Sequence, residues 1–405
     1  MVEFSFTEEQ ELFRKTLHGW CQKNLPLEKV REMDTKGAMP PGLVKEMANQ
    51  GLLAMTVPEE HGGPGADWIT ACIAAEELGY HDISIAVPVF FLVQSSWGFA
   101  IDRYCTERVR GEYVHRAIKG EGFLGIATTE ATGGSDVAAF KSTAKKEGNE
   151  WVINGEKMYI SGTEESAKMN GGFFILARTA PAPPGAPHKG MTGFYLPIKA
   201  PGVEITKRFD DVGRMGISTG GFVMKNVRLS SDYMLGKEGE GFYITMEGFD
   251  GARILIGATC VGAAQRALEI GMDYIKERKA FGQSIGKFEG IQFELADDWA
   301  QLEALRSLVY RTAWMMDERY KRQRFSPLEV ARYISACKLK CPHFAMHVFE
   351  HAMIWMGAYG YTKECPLEMG WRGVMSYCIG AEGATNIQRI IIGRELLGKE
   401  FIPYK

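Results

Sequence analysis

The sequence predicts an α+β multi-domain protein with an N-terminal helical domain, a central β-barrel or sandwich and a C-terminal four-helix bundle. Three observations predict it. Up to about residue 121, apolar residues recur at helical spacing. From Gly122 the pattern breaks into short β-type runs separated by Gly, Pro and Asn. From Gly241 it returns to long helical segments. The expected domains are therefore 1–121, 122–240 and 241–405, and 405 residues suffice for two or three domains with a large core.

In order along the chain, "TEEQELFRKTLHGWCQKNL" sets Leu12, Phe13, Leu17 and Trp20 on one helix face, with Thr7 and Gln10 spaced as a capping box. "GLVKEMANQGLLAM" and "DWITACIAAEELGY" read as further helices, joined by the turn-rich "VPEEHGGPGAD". In the middle, "EWVINGEKMYIS", "GGFFILARTA", "TGFYLPI", "GVEIT" and "GGFVMKNVRL" read as strands. "TAPAPPGAPHKG" can be only a loop. Beyond Gly241, small residues (Gly257, Ala258, Gly262, Ala263, Ala264) permit close helix contact, and "GIQFELADDWAQLEALRSLVYRTAWMMDERY" is a long amphipathic helix. Last comes "AEGATNIQRIIIGRELLG". Here a lone carboxylate, Glu382, precedes an expected buried helix carrying Ile387, Ile390, Ile391 and Leu397.

Composition excludes several function classes. A formal net charge of −3 leaves no electrostatic footprint for nucleic acid. No apolar run approaches a membrane span, the N-terminal stretch has no apolar signal core, and "FIPYK" is not a peroxisomal tripeptide. The expectation is a cytoplasmic protein with no membrane or nucleic-acid partner. The eight cysteines then read as reduced thiols. In "CKLKCPHFAMHVFEH", His343, His347 and His351 recur every four residues, a spacing that could ligate a metal. Phe344, Met346, Val348 and Phe349 read instead as helix packing, and no acidic partner is evident nearby, so no metal is expected.

Five stretches, in order, resemble the flavin-dependent acyl-CoA dehydrogenases over nearly the whole chain: "LGIATTEATGGSDV", "WVINGEKMYIS", "ERKAFGQSI", "WMGAYGYTKECP" and "AEGATNIQRIIIGRELLG". The resemblance implies FAD. It places Ile126, Ala127, Thr128 and Thr129 along the flavin edge, and Gly134 and Ser135 near the flavin phosphates, with Ser135 also near the acyl-CoA. Backbone groups and hydroxyls suit a flavin edge because they neither titrate nor crowd the ring. Tyr159 would flank the ring, with Ile160 beside it and the Ser161 hydroxyl reaching the N5 side. Arg278 and Phe281 would serve the FAD of a neighbouring subunit, which implies a homo-oligomer, a tetramer by resemblance. Gly357, Ala384, Thr385 and Asn386 fall at further cofactor positions, and Asp250, Arg253 and Gly383 on the substrate side. The chain departs from the family pattern in three places. Ile354 stands where Gln is usual before Gly357 and Ala358, Ala381 replaces the Tyr before the carboxylate, and Ala384 replaces the following Thr, with Thr385 one later.

The resemblance maps the family's base onto Glu382. A carboxylate is too weak a base in water for a carbon acid, and burial in an apolar site raises its pKa toward a useful value. The implied reaction converts an acyl-CoA to the 2,3-enoyl-CoA and passes electrons to an electron-transferring flavoprotein. Alternatives are an enoyl-CoA reductase, an acyl-CoA oxidase (for which the chain is short) and a DNA-associated relative without dehydrogenase activity (for which a basic tail is missing). The helix "IAVPVFFLVQSSW" carries no basic residue but Phe90, Phe91 and Trp97, and Ala381 leaves space beside the base. Both features favour a bulky acyl group, cyclic, branched or aryl-bearing, as in fatty-acid or aromatic-acid degradation. The alternative is that Tyr377 or Trp371 fills that space. An aryl-dicarboxylic thioester such as benzylsuccinyl-CoA stays open if Arg214 reaches the pocket.

Overall fold

The computed structural model describes residues 5–401, so the targeting readings at residues 1–4 and 402–405 lie outside the described residues. Helix α1 (Glu8–Asn24) starts at the expected capping box. Thr7 Oγ1 accepts from Gln10 N, and the Gln10 side chain accepts from Thr7 N. Its buried residues are Leu17 and Cys21. Leu12 faces solvent, so the expected stripe is narrower and turned toward Cys21. Next come α2 (Leu27–Lys36), α3 (Leu43–Asn49) and α4 (Trp68–His81), the last capped by Asp67 accepting from Thr70 N. Helix α5 (Ala86–Leu92) passes through a π-helical turn, Val93–Trp97, into α6 (Gly98–Tyr104). Every residue from Ala86 to Gly98 is buried. Two short helices, α7 (Glu107–Val109) and α8 (His115–Ile118), close this part.

The middle β domain comprises β1 (Leu124–Ala127), β2 (Thr143–Glu147), β3 (Glu150–Ser161), β4 (Gly172–Arg178), β5 (Met191–Pro197), β6 (Val203–Ile205), β7 (Thr219–Ser230) and β8 (Met234–Leu235), with helix α9 (Thr163–Met169) inserted. The strands pair in the path β6-β7-β3-β2-β4-β5-β8, and β1 runs parallel to β4. Only Thr143 and Arg178 join β2 to β4. Side chains of the two halves meet across the interior: Trp151 of β3 on Phe194 of β5 at 5.4 Å, and Phe173 of β4 on Phe222 of β7 at 5.6 Å. That is sandwich packing. A register shift between Met158 and Ile160 throws Tyr159 out of the β3–β7 ladder.

The C-terminal helical domain comprises α10 (Gly241–Glu277), a small hairpin of β9 (Lys279–Ala280) and β10 (Gln283–Ser284), then α11 (Glu289–Arg322), α12 (Pro327–Trp355), α13 (Leu367–Ile379) and α14 (Thr385–Leu397). Glycines seat α10 against α4. A Cβ on Gly262 would lie 1.9 Å from the Glu76 carbonyl oxygen, and one on Gly79 2.2 Å from that of Thr259. Contrary to the sequence reading, α10 is long and apolar enough to cross a membrane, but most of that apolar stretch is buried inside the protein, as in a core helix. Helix α14 also differs from expectation. Gln388 is its one buried residue and Leu397 is exposed, because the helix packs on α12 along one side only. The histidines divide. His343 pairs with Thr385, whereas His351 and His347 approach the buried Asp298 of α11 at 2.8 and 3.6 Å. The acidic partner missing from the local sequence comes from another helix.

Candidate active site

Glu382 sits in the turn between α13 and α14 with φ +54, a conformation costly for a residue with a side chain. Three groups hold the turn from outside. Arg253 Nε of α10 donates to the Glu382 carbonyl at 2.8 Å. Lys338 Nζ of α12 donates to the carbonyls of Gly383 at 2.5 Å and Tyr377 at 2.9 Å. The Gln388 side-chain amide adds a bond to the Gly383 carbonyl at 3.4 Å. Gly383 is required here, since its φ is +104 and a Cβ would press on Gln388 Nε2 and Arg253 Nη2 at 3.0 and 3.1 Å.

The carboxyl group points inward. The residue keeps some exposure, but Oε2 is buried with no hydrogen-bond partner. Burial pushes its pKa up to about 7, against the opposing pull of Arg253, Lys338, the Trp97 indole N–H and Arg214. The Trp97 N–H is close enough to favour the ionised form without closing a hydrogen bond, for Trp97 Nε1 is itself buried and unpartnered. Trp97 lies in the π-helical turn and packs on Phe174 and Phe249 at 5.4 and 5.6 Å. Phe90 belongs to the core, against Phe123 at 5.6 Å, and Phe91 is wholly buried. Asp250 is buried and pairs with Arg319 at 3.3 Å; burial pushes its carboxyl up to about 6, against the charges of Arg253 and Arg319.

A second group of predicted residues gathers in the β domain. Ile126 and Ala127 end β1, and Thr128 to Ser135 follow in a loop tied down by a buried ion pair. Lys157 Nζ of β3 lies 2.7 Å from Glu130 Oε1 and also donates to the carbonyls of Thr128 and Leu176. Glu130 in turn accepts from Lys141 N and Ser142 N, closing the loop onto itself. The hydroxyls of Thr128, Thr129 and Ser135 are left without hydrogen-bond partners in the described chain. Beyond the loop, Tyr159 is 61% exposed at φ +58 and stacks on Phe209 at 4.7 Å. Ile160 is buried, and Ser161 Oγ accepts from Arg214 Nη1 at 2.8 Å.

The remaining predicted residues lie away from that loop, and none of them is buried. Arg278 follows the last turn of α10, exposed and without an ion pair among the described residues, and Phe281 at the hairpin tip is 96% exposed at φ +51. Gly357, at φ +61, starts the turn after α12, and Ile354 is exposed. Ala384 precedes α14, the Thr385 hydroxyl donates to the Cys378 carbonyl, and Asn386 Oδ1 accepts from Arg389. Nine described non-glycine residues have positive φ, and four of them are Tyr159, Arg214, Phe281 and Glu382. Such strain gathers where function over-determines the backbone.

Three descriptions match the chain consecutively: acyl-CoA dehydrogenase N-terminal domain over 7–121, middle domain over 125–227 and C-terminal domain over 239–397. The chain belongs to the acyl-CoA dehydrogenase family. It is 33% identical over 400 residues to the acryloyl-CoA reductase (NADH) of Anaerotignum propionicum, covering 98% of this chain and 96% of that one. It is 31% identical to the 3-(aryl)acrylate reductase of Clostridium sporogenes (strain ATCC 15579), covering 97% and 99%. The solved butyryl-CoA dehydrogenase from Megasphaera elsdenii superposes with a TM-score of 0.89 at 29% identity, covering 98% and 100%. The family is one of oxidoreductases, and its helical, β and helical domains are those described above.

Within this acyl-CoA dehydrogenase frame, sequence reasoning missed several residues. Lys157 and Glu130 both stood inside quoted motifs, where attention went to the hydroxyls. Lys338 shares the buried stripe of α12 with Ile334, Cys341 and Ala345, and a lysine on an apolar helix face was the available signal. Tyr377 was named only as a possible filler of the space beside Ala381, and its buried, unpartnered hydroxyl had no signal in the sequence.

Proposed function

We propose that the protein binds FAD and dehydrogenates an acyl-CoA to the 2,3-enoyl-CoA, with Glu382 removing the α-proton. The observation that carries this reading is the Glu382 carboxyl, with Oε2 buried and its pKa pushed up to about 7, held by a turn clamped from α10 and α12. The donor set fits a flavin: three unpartnered hydroxyls at Thr128, Thr129 and Ser135, and an exposed aromatic at Tyr159. When bound, FAD supplies a hydride acceptor for the β-hydrogen. Ser161 offers a hydroxyl at that edge. The strained turn aims Glu382 inward, and burial of Oε2 keeps bulk water off the base. The exposed guanidinium of Arg278 and the exposed Phe281 suit the FAD of a neighbouring copy, so the working form is a homo-oligomer, a tetramer in this proposal. Electrons leave to an electron-transferring flavoprotein, and the location is cytoplasmic.

The opposite direction, enoyl-CoA reduction, is the second reading, favoured by the two reductases among the relatives. Both directions use the same proton at Glu382. The test is to purify the protein, identify its flavin, and follow flavin bleaching by acyl-CoAs and ferrocenium reduction at turnover. A colourless protein, or one that only oxidises a reduced dye with enoyl-CoA, sinks the dehydrogenase reading.

The acyl group proposed is bulky. Ala381 offers only a methyl group next to Glu382 in the chain. Ring-bearing acyl-CoAs should therefore exceed butyryl- and octanoyl-CoA in kcat/KM, and Ala381→Tyr should reverse that order. Straight chains winning in the unmodified protein would reject the space argument.

Lys338 provides a further check. Its charge pulls the Glu382 pKa down while its own is lowered by burial to about 8. Lys338→Met should move the midpoint of the pH–rate profile for flavin reduction upward from about 7, and slow the reaction at pH 7. An unmoved midpoint would leave Lys338 a purely structural part.

A further inference from the structure

Helices α1 and α4 pack on each other, and three metal-ligating side chains meet between them. Glu77 and His81 stand one helical turn apart on α4, so they share a face. His18 of α1 comes to them from 59 and 63 residues away in sequence. Its Nδ1 lies 2.9 Å from Glu77 Oε2 and 3.2 Å from His81 Nε2, and those two atoms are 4.0 Å apart. The side chains of Glu77 and His81 are largely buried, and that of His18 is 39% exposed. A cleft of about 740 Å³ lies alongside, with His18 and Glu77 in its wall.

As a hydrogen-bonded group these three atoms suit one another poorly. A carboxylate oxygen only accepts, and each imidazole nitrogen holds either a proton or a lone pair. If His18 Nδ1–H donates to Glu77, His81 Nε2 faces the flank of a bond already made. The guanidinium groups around the cleft are committed elsewhere: Arg14 to Glu11, Arg306 to Glu76 and Arg266 to Glu269. A cation at the centre satisfies all three atoms at once. In a tetrahedral zinc site, bonds of about 2.0–2.2 Å set neighbouring ligand atoms about 3.3–3.6 Å apart. The observed 2.9, 3.2 and 4.0 Å bracket that spacing. His81 is also the last residue of α4, where the negative end of the helix dipole favours a cation. The outer nitrogen of His18, Nε2, lies 3.0 Å from the Gln22 side-chain amide. Turned so that its oxygen accepts from Nε2–H, that amide leaves the Nδ1 lone pair directed at the metal.

We propose that His18, Glu77 and His81 form a zinc site, with a fourth position open to the cleft for water, that fastens α1 to α4. The site is independent of the acyl-CoA reading. Two imidazoles and one carboxylate suit zinc better than magnesium or calcium, which take oxygen ligands. A second cluster of the same residue types, Asp298, His347 and His351, occurs among the described residues. There the two rings address different oxygens of Asp298, at 2.8 and 3.6 Å, and the His347 side chain is 53% exposed. The first cluster converges on a single carboxylate oxygen and the second does not, so the second is the internal control.

The test takes the full chain as purified, strips metal with a chelator and titrates zinc chloride by calorimetry. The tightest zinc should bind once per chain with a Kd of about 10 μM or below. His81→Ala and Glu77→Gln should each weaken it by about 100-fold or more, and Gln22→Leu by about tenfold. His347→Ala should leave it in place. Cobalt in place of zinc should show the intense visible bands of a four-coordinate ion. At a hundredfold excess over Kd, zinc should raise the unfolding temperature by about 3 °C. Weaker zinc binding by the unmodified protein overturns the proposal, and so does the pale spectrum of six-coordinate cobalt. Both readings stand even if a variant fails to fold. Zinc affinity that survives His81→Ala and Glu77→Gln but falls in His347→Ala also overturns it, since that assigns the metal to α11 and α12.

Discussion

Glu382→Gln should lose substrate-driven flavin reduction by about a thousandfold to ten-thousandfold while still binding acyl-CoA. The amide keeps the volume and the turn, because the turn is held through the backbone carbonyls of residues 377, 382 and 383 and not through the carboxyl. Only the proposed base is removed. In the unmodified protein the same step should rise with pH through about 7, since the group must be ionised to accept the α-proton. The sign follows from the cause. Burial favours the protonated acid, and the cations and the indole N–H oppose it without restoring an ordinary carboxylate value. The variant should show no such rise. Stopped-flow bleaching of the flavin across pH 5.5 to 9, with acyl-CoA binding measured in parallel, checks both parts. A variant that bleaches within tenfold of the original would show that another residue removes the proton.

Glu382 was legible in the sequence as a candidate base through the family resemblance, not through its local pattern alone. The three-part fold was legible from periodicity: long 3.6-residue patterns at both ends, and alternating or fully apolar short runs between. The hydroxyl-lined loop was legible because its residues are contiguous. What escaped were long-range pairings. Arg253 and Lys338 meet the base turn across 129 and 45 residues. Arg214 could be named as a candidate, but only folding shows it on Ser161, 53 residues away. The outer side of α14 was misread because Ile390, Ile391 and Leu397 resemble a core stripe, whereas Ile390 and Ile391 are half-buried and Leu397 is exposed. Strand β2, "TAKKE", carries charged residues on an outer face and so has no apolar signature; pairing with β3 defines it.

Lys157→Met should destabilise the protein by about 3–5 kcal/mol, more than loss of any exposed ion pair on the molecule. Lys157 is 1% exposed and Glu130 4%. Removing the ammonium strands a buried carboxylate and leaves the carbonyls of Thr128 and Leu176 without their donor. By contrast, cutting the exposed Arg228–Glu147 pair should cost at most about 1 kcal/mol. In the intact pair burial opposes ionisation, but the charge and hydrogen bond of Lys157, with those from Ser142 and Lys141, hold the Glu130 carboxyl below its ordinary range. That stability is present above the unfolded carboxylate pKa and is lost as pH falls. In the variant the stranded carboxyl moves the other way and takes up a proton more readily than in the unfolded chain. The gap between the two proteins should therefore narrow as pH falls. Guanidinium unfolding at pH 8 and pH 5 measures it. The double variant Glu130→Gln, Lys157→Met should recover part of the loss, since it strands no charge and one amide oxygen can still accept from Lys141 or Ser142. Because the same pair closes the loop that carries Thr128, Thr129 and Ser135, the single variant should also retain less FAD after desalting. A single variant within 1 kcal/mol of the original, or a gap that widens toward acid, would show that the pair is not ionised in the folded protein.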